Sequence, residues 1–285
     1  MQLFTSLNNL QIFLNQEKSL GKTISFVPTM GALHSGHISL IELAQKHADV
    51  SVCSIFVNPT QFNNPEDLIK YPRMLERDAY LLEKEDCDVL FVPRIDEIYP
   101  PDLDTSVNIE LGGLDLVMEG EFRPGHFKGM LQVVNRLLDI VKADFLVMGQ
   151  KDFQQFTLVQ HMIQQLSLPV KLIIGETLRE TDGLAMSSRN LRLTPEMREK
   201  APIIFECLMQ LKRDIGQKPI AEMCSKVWQL ITEKGLKMEY LQVVDGIRLE
   251  LLENPENHPF IVACIAVWAG DVRLIDNLIL KGSLN

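Results

Sequence analysis

The stretch Pro28-Thr29-Met30-Gly31-Ala32-Leu33-His34-Ser35-Gly36-His37 closes an apolar strand candidate, Ile24–Pro28, and opens a helical pattern near Gly36–His47. A strand that turns directly into a helix is the unit from which parallel α/β sheets are built. The first turn of the helix carries N–H groups without helical partners and the positive end of the dipole, so it suits a phosphate. Gly31 allows a sharp turn there, and Gly36 allows close approach of a ligand to the main chain. His34 and His37 lie three residues apart and share one face of a helical turn. Two imidazoles so placed can donate hydrogen bonds to phosphate oxygens as charge builds in a transition state.

Outward from this point the same alternation continues. Further strand candidates are Val50–Val57, Asp88–Pro93, Asp144–Gly149 and Val170–Glu176, separated by helical patterns near Arg73–Asp86, Phe127–Lys142 and Phe153–Leu166. Strands that are apolar throughout, spaced by helices of this length, predict a parallel sheet covered on both faces. The expected fold class is α/β: a doubly wound, Rossmann-like domain whose ligands bind beyond the carboxyl ends of its strands. Upstream, residues 1–22 read as an amphipathic helix stopped at Gly21. Downstream, the polar loop Thr177–Leu193 breaks the alternation, and Thr194-Pro195 starts a helix with an N-cap threonine and a first-turn proline. Helical patterns near Pro195–Ile215 and Ile220–Glu233 precede strands near Tyr240–Val244, Phe260–Trp268 and Val272–Leu280. The expected organisation is therefore one domain over residues 1–176 and a smaller α+β C-terminal domain over 177–285.

Composition narrows the partners. The chain has 285 residues, 46% of them hydrophobic, and 28 Lys and Arg against 38 Asp and Glu give a net charge of −10. Nucleic-acid binders carry a basic footprint, so no nucleic-acid partner is expected. No apolar stretch has the length of a membrane span and the N-terminus lacks the features of a signal peptide, so the expected address is cytoplasmic, without a membrane partner. The five cysteines, Cys53, Cys87, Cys207, Cys224 and Cys264, have no CxxC spacing and read as small core hydrophobes. Gly21-Lys22-Thr23 is not a P-loop, because it precedes its strand and Gln16 stands where the first glycine belongs.

Three more polar motifs fall where strands end or domains meet. Asn58-Pro59-Thr60-Gln61 follows the second strong strand, and Gln61 offers one acceptor and two donors to a substrate bearing carboxylate and hydroxyls. Gly149-Gln150-Lys151-Asp152 leads from strand to helix; Lys151 is a mobile cation for a phosphate, and Asp152 a helix cap or a ligand for ribose or metal. Asp182 to Asn190 contains Met186-Ser187-Ser188-Arg189, with Arg189 a fixed cation in a phosphate clamp. The HxGH spacing is the signature of the nucleotidyl-transferase superfamily, and the Ser187-Ser188-Arg189 loop resembles its KMSKS counterpart.

PTMGALHSGH, SIFVNPTQF, EGEFRPGHFKG, GQKDFQQ and RETDGLAMSSRN follow one another between about residues 24 and 192 in the order and spacing of one family. On these motifs the chain resembles the pantothenate synthetase (pantoate–β-alanine ligase) family. Gln150 departs from the glutamate expected in a GEKD motif. The resemblance implies condensation of pantoate with β-alanine using ATP and Mg²⁺, through a pantoyl adenylate, with release of AMP and pyrophosphate. It implies ATP contacts from Met30, Gly31, Ala32, Leu33, His34, Ser35, Gly36 and His37, from Gly149, Gln150, Lys151 and Asp152, and from Leu178, Met186, Ser187, Ser188 and Arg189. His37, His34, Lys151 and Arg189 would carry the catalysis, with His37 credited as proton donor. Gln61 and Gln155 would hold pantoate, Gln61 would also lie near β-alanine, and the metal ligands stay unassigned. The C-terminal domain would act as a lid, and the family is typically homodimeric. The rival readings are another HxGH nucleotidyl transferase that passes AMP to a phosphorylated acceptor, and a non-catalytic RNA-binding module.

Overall fold

The computed structural model describes residues 1–62 and 65–284. Its elements run β1 (Gln2–Phe4), α1 (Leu7–Ser19), β2 (Ile24–Thr29), α2 (Ser35–His47), β3 (Val50–Ile55), α3 (Pro65–Lys70), α4 (Leu75–Lys84), β4 (Val89–Phe91), α5 (Ile95–Ile98), α6 (Glu119–Phe122), α7 (His126–Val141), β5 (Phe145–Gly149), α8 (Phe153–Gln165) and β6 (Lys171–Gly175). After these come α9 (Pro195–Lys200), α10 (Ile203–Asp214), α11 (Ile220–Glu233), β7 (Lys237–Asp245), β8 (Ile261–Ala269) and β9 (Val272–Lys281). Short 3₁₀ turns occupy Pro59–Gln61 and Ser188–Arg192.

The chain divides into two compact units, Met1–Gly149 with Gln155–Gly175, and Gln150–Gln154 with Glu176–Asn285. In the first unit six parallel strands lie in the order β1-β4-β3-β2-β5-β6. From β2 the chain moves outward to β3 and β4, then returns to lay β5 on the other side of β2. That reversal is the topological switch point, where folds of this class place their ligands. Thus the loop after β2 and the end of β5 leave the same edge of the sheet side by side. The expected α/β class is what the structure contains. Both faces are covered: Val27, Ile41, Ala44, Cys53, Leu82 and Leu90 form one cluster, while Ile24 and Phe26, alternating with Val27 on β2, are equally buried.

The N-terminus differs from expectation. Gln2–Phe4 is a strand, not part of the helix, because its main chain pairs with β4 in the register Gln2↔Val89, Leu3↔Leu90, Phe4↔Phe91. Three residues are too few to show a period, and only the tertiary partner defines them. The helix itself ends as expected, with Gly21 left-handed at φ 80°.

The second unit is an antiparallel β7-β8-β9 meander with α10 and α11 packed on it around Leu208, Leu211, Val227, Ile231, Ile265 and Val267. The Thr194 side chain caps α9 by accepting from the Met197 N–H at 3.3 Å. The single helix expected over 195–215 is two, broken at Ala201-Pro202, because Pro202 has no N–H to continue the ladder. Among the described residues no helix is long and apolar enough to cross a membrane. The cysteines are free thiols, four of them buried, and burial pushes Cys87 up to about 11.

Candidate active site

The turn between β2 and α2 is held by three hydrogen bonds to two side chains. The Gly31 N–H donates to Thr29 Oγ1 at 3.2 Å, and the Ala32 and Leu33 N–H groups donate to the two carboxylate oxygens of Asp78, each at 2.8 Å. Asp78, on α4, is fully buried. Gly31 and Ala32 are both left-handed, at φ 81° and 50°. A Cβ on Gly31 would come within 3.0 Å of Ile55 and 3.1 Å of Asp78, so glycine is required for space as well as conformation.

His34 is the N-cap of α2 and shares a reciprocal cap with His37. The His34 Nδ1 accepts from the Gly36 N–H at 3.1 Å, and the His37 Nδ1 accepts from the His34 N–H at 3.3 Å. The rings stand 4.0 Å apart between centroids. Because both Nδ1 atoms accept, each neutral ring carries its proton on Nε2. Here the structure corrects the expectation of free main-chain donors. The amides of residues 31, 34 and 36 bond side chains of the turn itself, those of Ala32 and Leu33 bond Asp78 on α4, and the His37 N–H turns back to the His34 carbonyl at 2.8 Å.

Gln61 sits at the end of the 3₁₀ turn after β3 and is buried. Its Nε2 lies 2.8 Å from the Met30 sulfur, so two motifs separated in sequence meet in the first unit. Asn58 organises the turn. Its Oδ1 accepts from Thr60 N–H, Thr60 Oγ1–H and Tyr99 O–H, while its Nδ2 donates to Gln61 Oε1 at 3.3 Å and to the Gly129 carbonyl at 3.1 Å. Burial raises the Tyr99 phenol above its ordinary value, which keeps it a donor. The Gln61 carbonyl accepts from His126 Nδ1 at 2.8 Å. A Cβ on Gly129 would fall 2.3 Å from the Thr60 carbonyl oxygen, so α7 reaches the turn only because this residue is glycine. EGEFRPGHFKG, quoted above only for its order, thus supplies the His126 and Gly129 that seat Gln61.

In the second unit, Leu178–Met186 folds as a small hairpin turned by Gly183 at φ 90°, with an Arg179↔Ala185 bridge and a Met186 N–H bond to the Leu178 carbonyl at 3.0 Å. The Ser187 hydroxyl then accepts from the Arg189 N–H and starts the 3₁₀ turn Ser188–Arg192. Lys151, Ser187 and Arg189 line one small cleft, together with Asn190, Arg273 and Asp276. Asp276 is buried and takes a bidentate bond from Arg179, at 2.6 and 3.0 Å. Burial pushes its carboxyl up, opposed by Arg179 and by the Lys151 charge. Gln150, the residue that departs from the expected glutamate, is buried and bonds Asn277 Oδ1 through its Nε2 at 3.1 Å. A neutral amide therefore faces a neutral amide.

The expected residues thus fall into defined groups. Met30 to His37 and Gln61 come together in the first unit, and Lys151, Ser187 and Arg189 in the second. Ser188 opens the 3₁₀ turn, and Gly149 ends β5. Asp152 is exposed at the start of α8, and Gln155 is half-buried on that helix with no described hydrogen bond to Gln61. Asp78, Tyr99, Asp276 and Asn277 lie outside the quoted motifs, and Asn58, His126 and Gly129 lie within them without an assigned role, because each acts by holding another residue. Among the described residues no group of three or more His, Cys, Asp or Glu side chains could hold a metal ion.

Comparison with known proteins identifies the family. The family model described as Pantoate-beta-alanine ligase matches residues 2–279. The pantothenate synthetase of Bacteroides fragilis is 42% identical over 285 residues, covering 99% of this chain and 100% of that protein. Among solved structures, the pantothenate synthetase of Thermus thermophilus superposes with a TM-score of 0.90 at 38% identity, covering 99% of this chain and all of that one. The Francisella tularensis pantoate-beta-alanine ligase, complexed with beta-gamma ATP and beta-alanine, superposes with a TM-score of 0.83 at 37% identity, covering 99% of both chains. With a family model spanning nearly the whole chain and relatives matched end to end, the chain belongs to the pantoate–β-alanine ligase family.

Proposed function

We propose a division of labour among named residues for the reaction of this family, the ATP-dependent ligation of pantoate to β-alanine through a pantoyl adenylate. A carboxylate is a poor electrophile. Pantoate oxygen therefore attacks the α-phosphorus of ATP, and the bond to the bridging oxygen breaks as pyrophosphate leaves. The amine of β-alanine then attacks the acyl carbon, AMP leaves, and the nitrogen loses a proton. His34 and His37 donate hydrogen bonds from Nε2 to the phosphate oxygens that gain charge in the first step, with His37 the principal donor, its neutral ring keeping the proton. Met30 to Gly36, Gly149 to Asp152, Leu178 and Met186 to Arg189 form the remaining ATP contacts, with Lys151 and Arg189 opposing the triphosphate charge. Gln61 and Gln155 orient pantoate, and Gln61 serves β-alanine as well. Mg²⁺ enters as MgATP, consistent with an ion that keeps most of its waters and rides on substrate phosphates.

The observation that carries this reading is the reciprocal Nδ1 capping of His34 and His37, which fixes two Nε2–H donors at a switch-point loop. Pyrophosphate release tests it. With ATP and pantoate but no β-alanine, a burst of about one equivalent per site is expected, becoming steady turnover with AMP when the amine is added. Turnover onto a phosphorylated acceptor without any amine requirement would instead favour a different nucleotidyl transfer. Gln61→Ala is expected to weaken pantoate binding by about tenfold, the value of one or two substrate hydrogen bonds. Calorimetry showing unchanged pantoate affinity would remove the assignment.

The lid role of the C-terminal unit and a homodimeric state are proposed on the same footing. Small-angle scattering unaltered by ATP plus pantoate, and a monomeric mass by sedimentation, would count against them in turn.

A further inference from the structure

Two adjacent buried polar residues on β9 have no part in the assignments above. Asn277 is 1% exposed, and its side chain makes three hydrogen bonds to one turn. Both hydrogens of its amide are used, on the Gln150 carbonyl at 2.9 Å and the Lys151 carbonyl at 2.8 Å, and its oxygen accepts from Gln150 Nε2. An amide buried in a strand is tolerated only when its groups are satisfied, and here every bond goes to the turn that carries Lys151. Its neighbour Asp276 holds Arg179, whose guanidinium also donates to the Gly183 carbonyl at 3.1 Å and lies 4.0 Å from the Phe205 ring centroid. Arg179 stands on the hairpin that runs through Ala185 into Met186, Ser187 and Arg189. One dipeptide therefore grips two loops, and the cations of both loops, Lys151 and Arg189, line the same cleft.

We propose that Asp276 and Asn277 are positioning residues that set the spacing of Lys151 and Arg189 for one polyphosphate. This rests on the reading that Lys151 and Arg189 contact the phosphates of ATP. Spacing matters because two cations whose loops are tied to one strand meet a triphosphate without the ordering cost of two independent loops.

The test is a double-mutant cycle on ATP affinity. Asn277→Asp keeps the side-chain volume but replaces the donor amide with a carboxylate oxygen facing two carbonyls. In the otherwise native enzyme it is expected to raise the KM for ATP by about tenfold, the equivalent of a lost hydrogen bond, with pantoate affinity changed by less than about twofold. In a Lys151→Ala background the same substitution is expected to change the KM for ATP by less than about twofold, since its effect passes through Lys151. A merely structural role would weaken both substrates, or act equally in both backgrounds, and either result overturns the proposal. If Lys151→Ala alone leaves ATP affinity intact, the underlying assignment of Lys151 fails instead. Should Asn277→Asp not yield folded enzyme, Asn277→Ser is read in the same cycle.

Discussion

Asp78→Ala is expected to lower both stability and the rate of adenylate formation more than any other substitution of a residue that does not touch substrate. The Asp78 carboxylate is the partner of two consecutive buried amides, those of Ala32 and Leu33. Removing it orphans both, at about 1–3 kcal/mol each. Nothing then offsets the left-handed conformation of Ala32, at φ 50°. A combined loss of roughly 2–6 kcal/mol corresponds to a thermal midpoint lower by about 5–20 °C for a chain of this size. Below that midpoint the variant is folded but its turn is loose, and a displacement of about 1 Å in a catalytic group can cost about a hundredfold in rate. Asp78→Asn tests the geometry more finely, because its amide nitrogen would confront one of the two N–H groups. Scanning calorimetry and single-turnover pyrophosphate release check both effects. A midpoint within about 2 °C of the parent, with an unchanged burst rate, would show that the turn holds itself.

Asp78 also illustrates where sequence reading stops. The strands of the first unit were legible because burial on both faces makes them predominantly apolar, as in Val50–Ile55, which is buried throughout with only Ser51 and Ser54 polar. The His34/His37 pair was legible because its partners are three residues apart and the helix that relates them is local. The residues that hold the site are not local. Asp78 lies 46 positions from Ala32, His126 lies 65 from Gln61, and Asn277 lies 127 from Gln150. Their side-chain types are ordinary, and only the sheet order brings them into reach. The same holds for β1, whose three residues acquire a conformation from β4 rather than from their own pattern. Gln150 shows the converse case. Its departure from the family's glutamate was visible at once, but that an amide suits the site follows only from the Asn277 amide facing it.

His37→Ala is expected to slow pyrophosphate release in a single turnover by about 10²- to 10³-fold, the scale of one preorganised donor lost from a developing oxyanion. The difficulty is that His37 has two duties. Its Nδ1 also caps the His34 N–H at 3.3 Å, so the alanine variant loses a cap worth about 1 kcal/mol as well as the donor. His37→Asn separates them. The asparagine oxygen can take the place of Nδ1 as acceptor, while nothing in that side chain extends to the position of Nε2. The asparagine variant should therefore melt close to the parent yet react as slowly as the alanine variant. His37→Gln, whose amide nitrogen reaches further, should recover part of the rate while losing the cap. ATP affinity should change little in all three if the hydrogen bond strengthens only as charge develops. A fast asparagine variant would mean that His37 acts by shaping the turn, leaving His34 as the sole donor. A loss below about tenfold in the alanine variant would remove His37 from the chemistry, since it lies far under the value of an oxyanion donor.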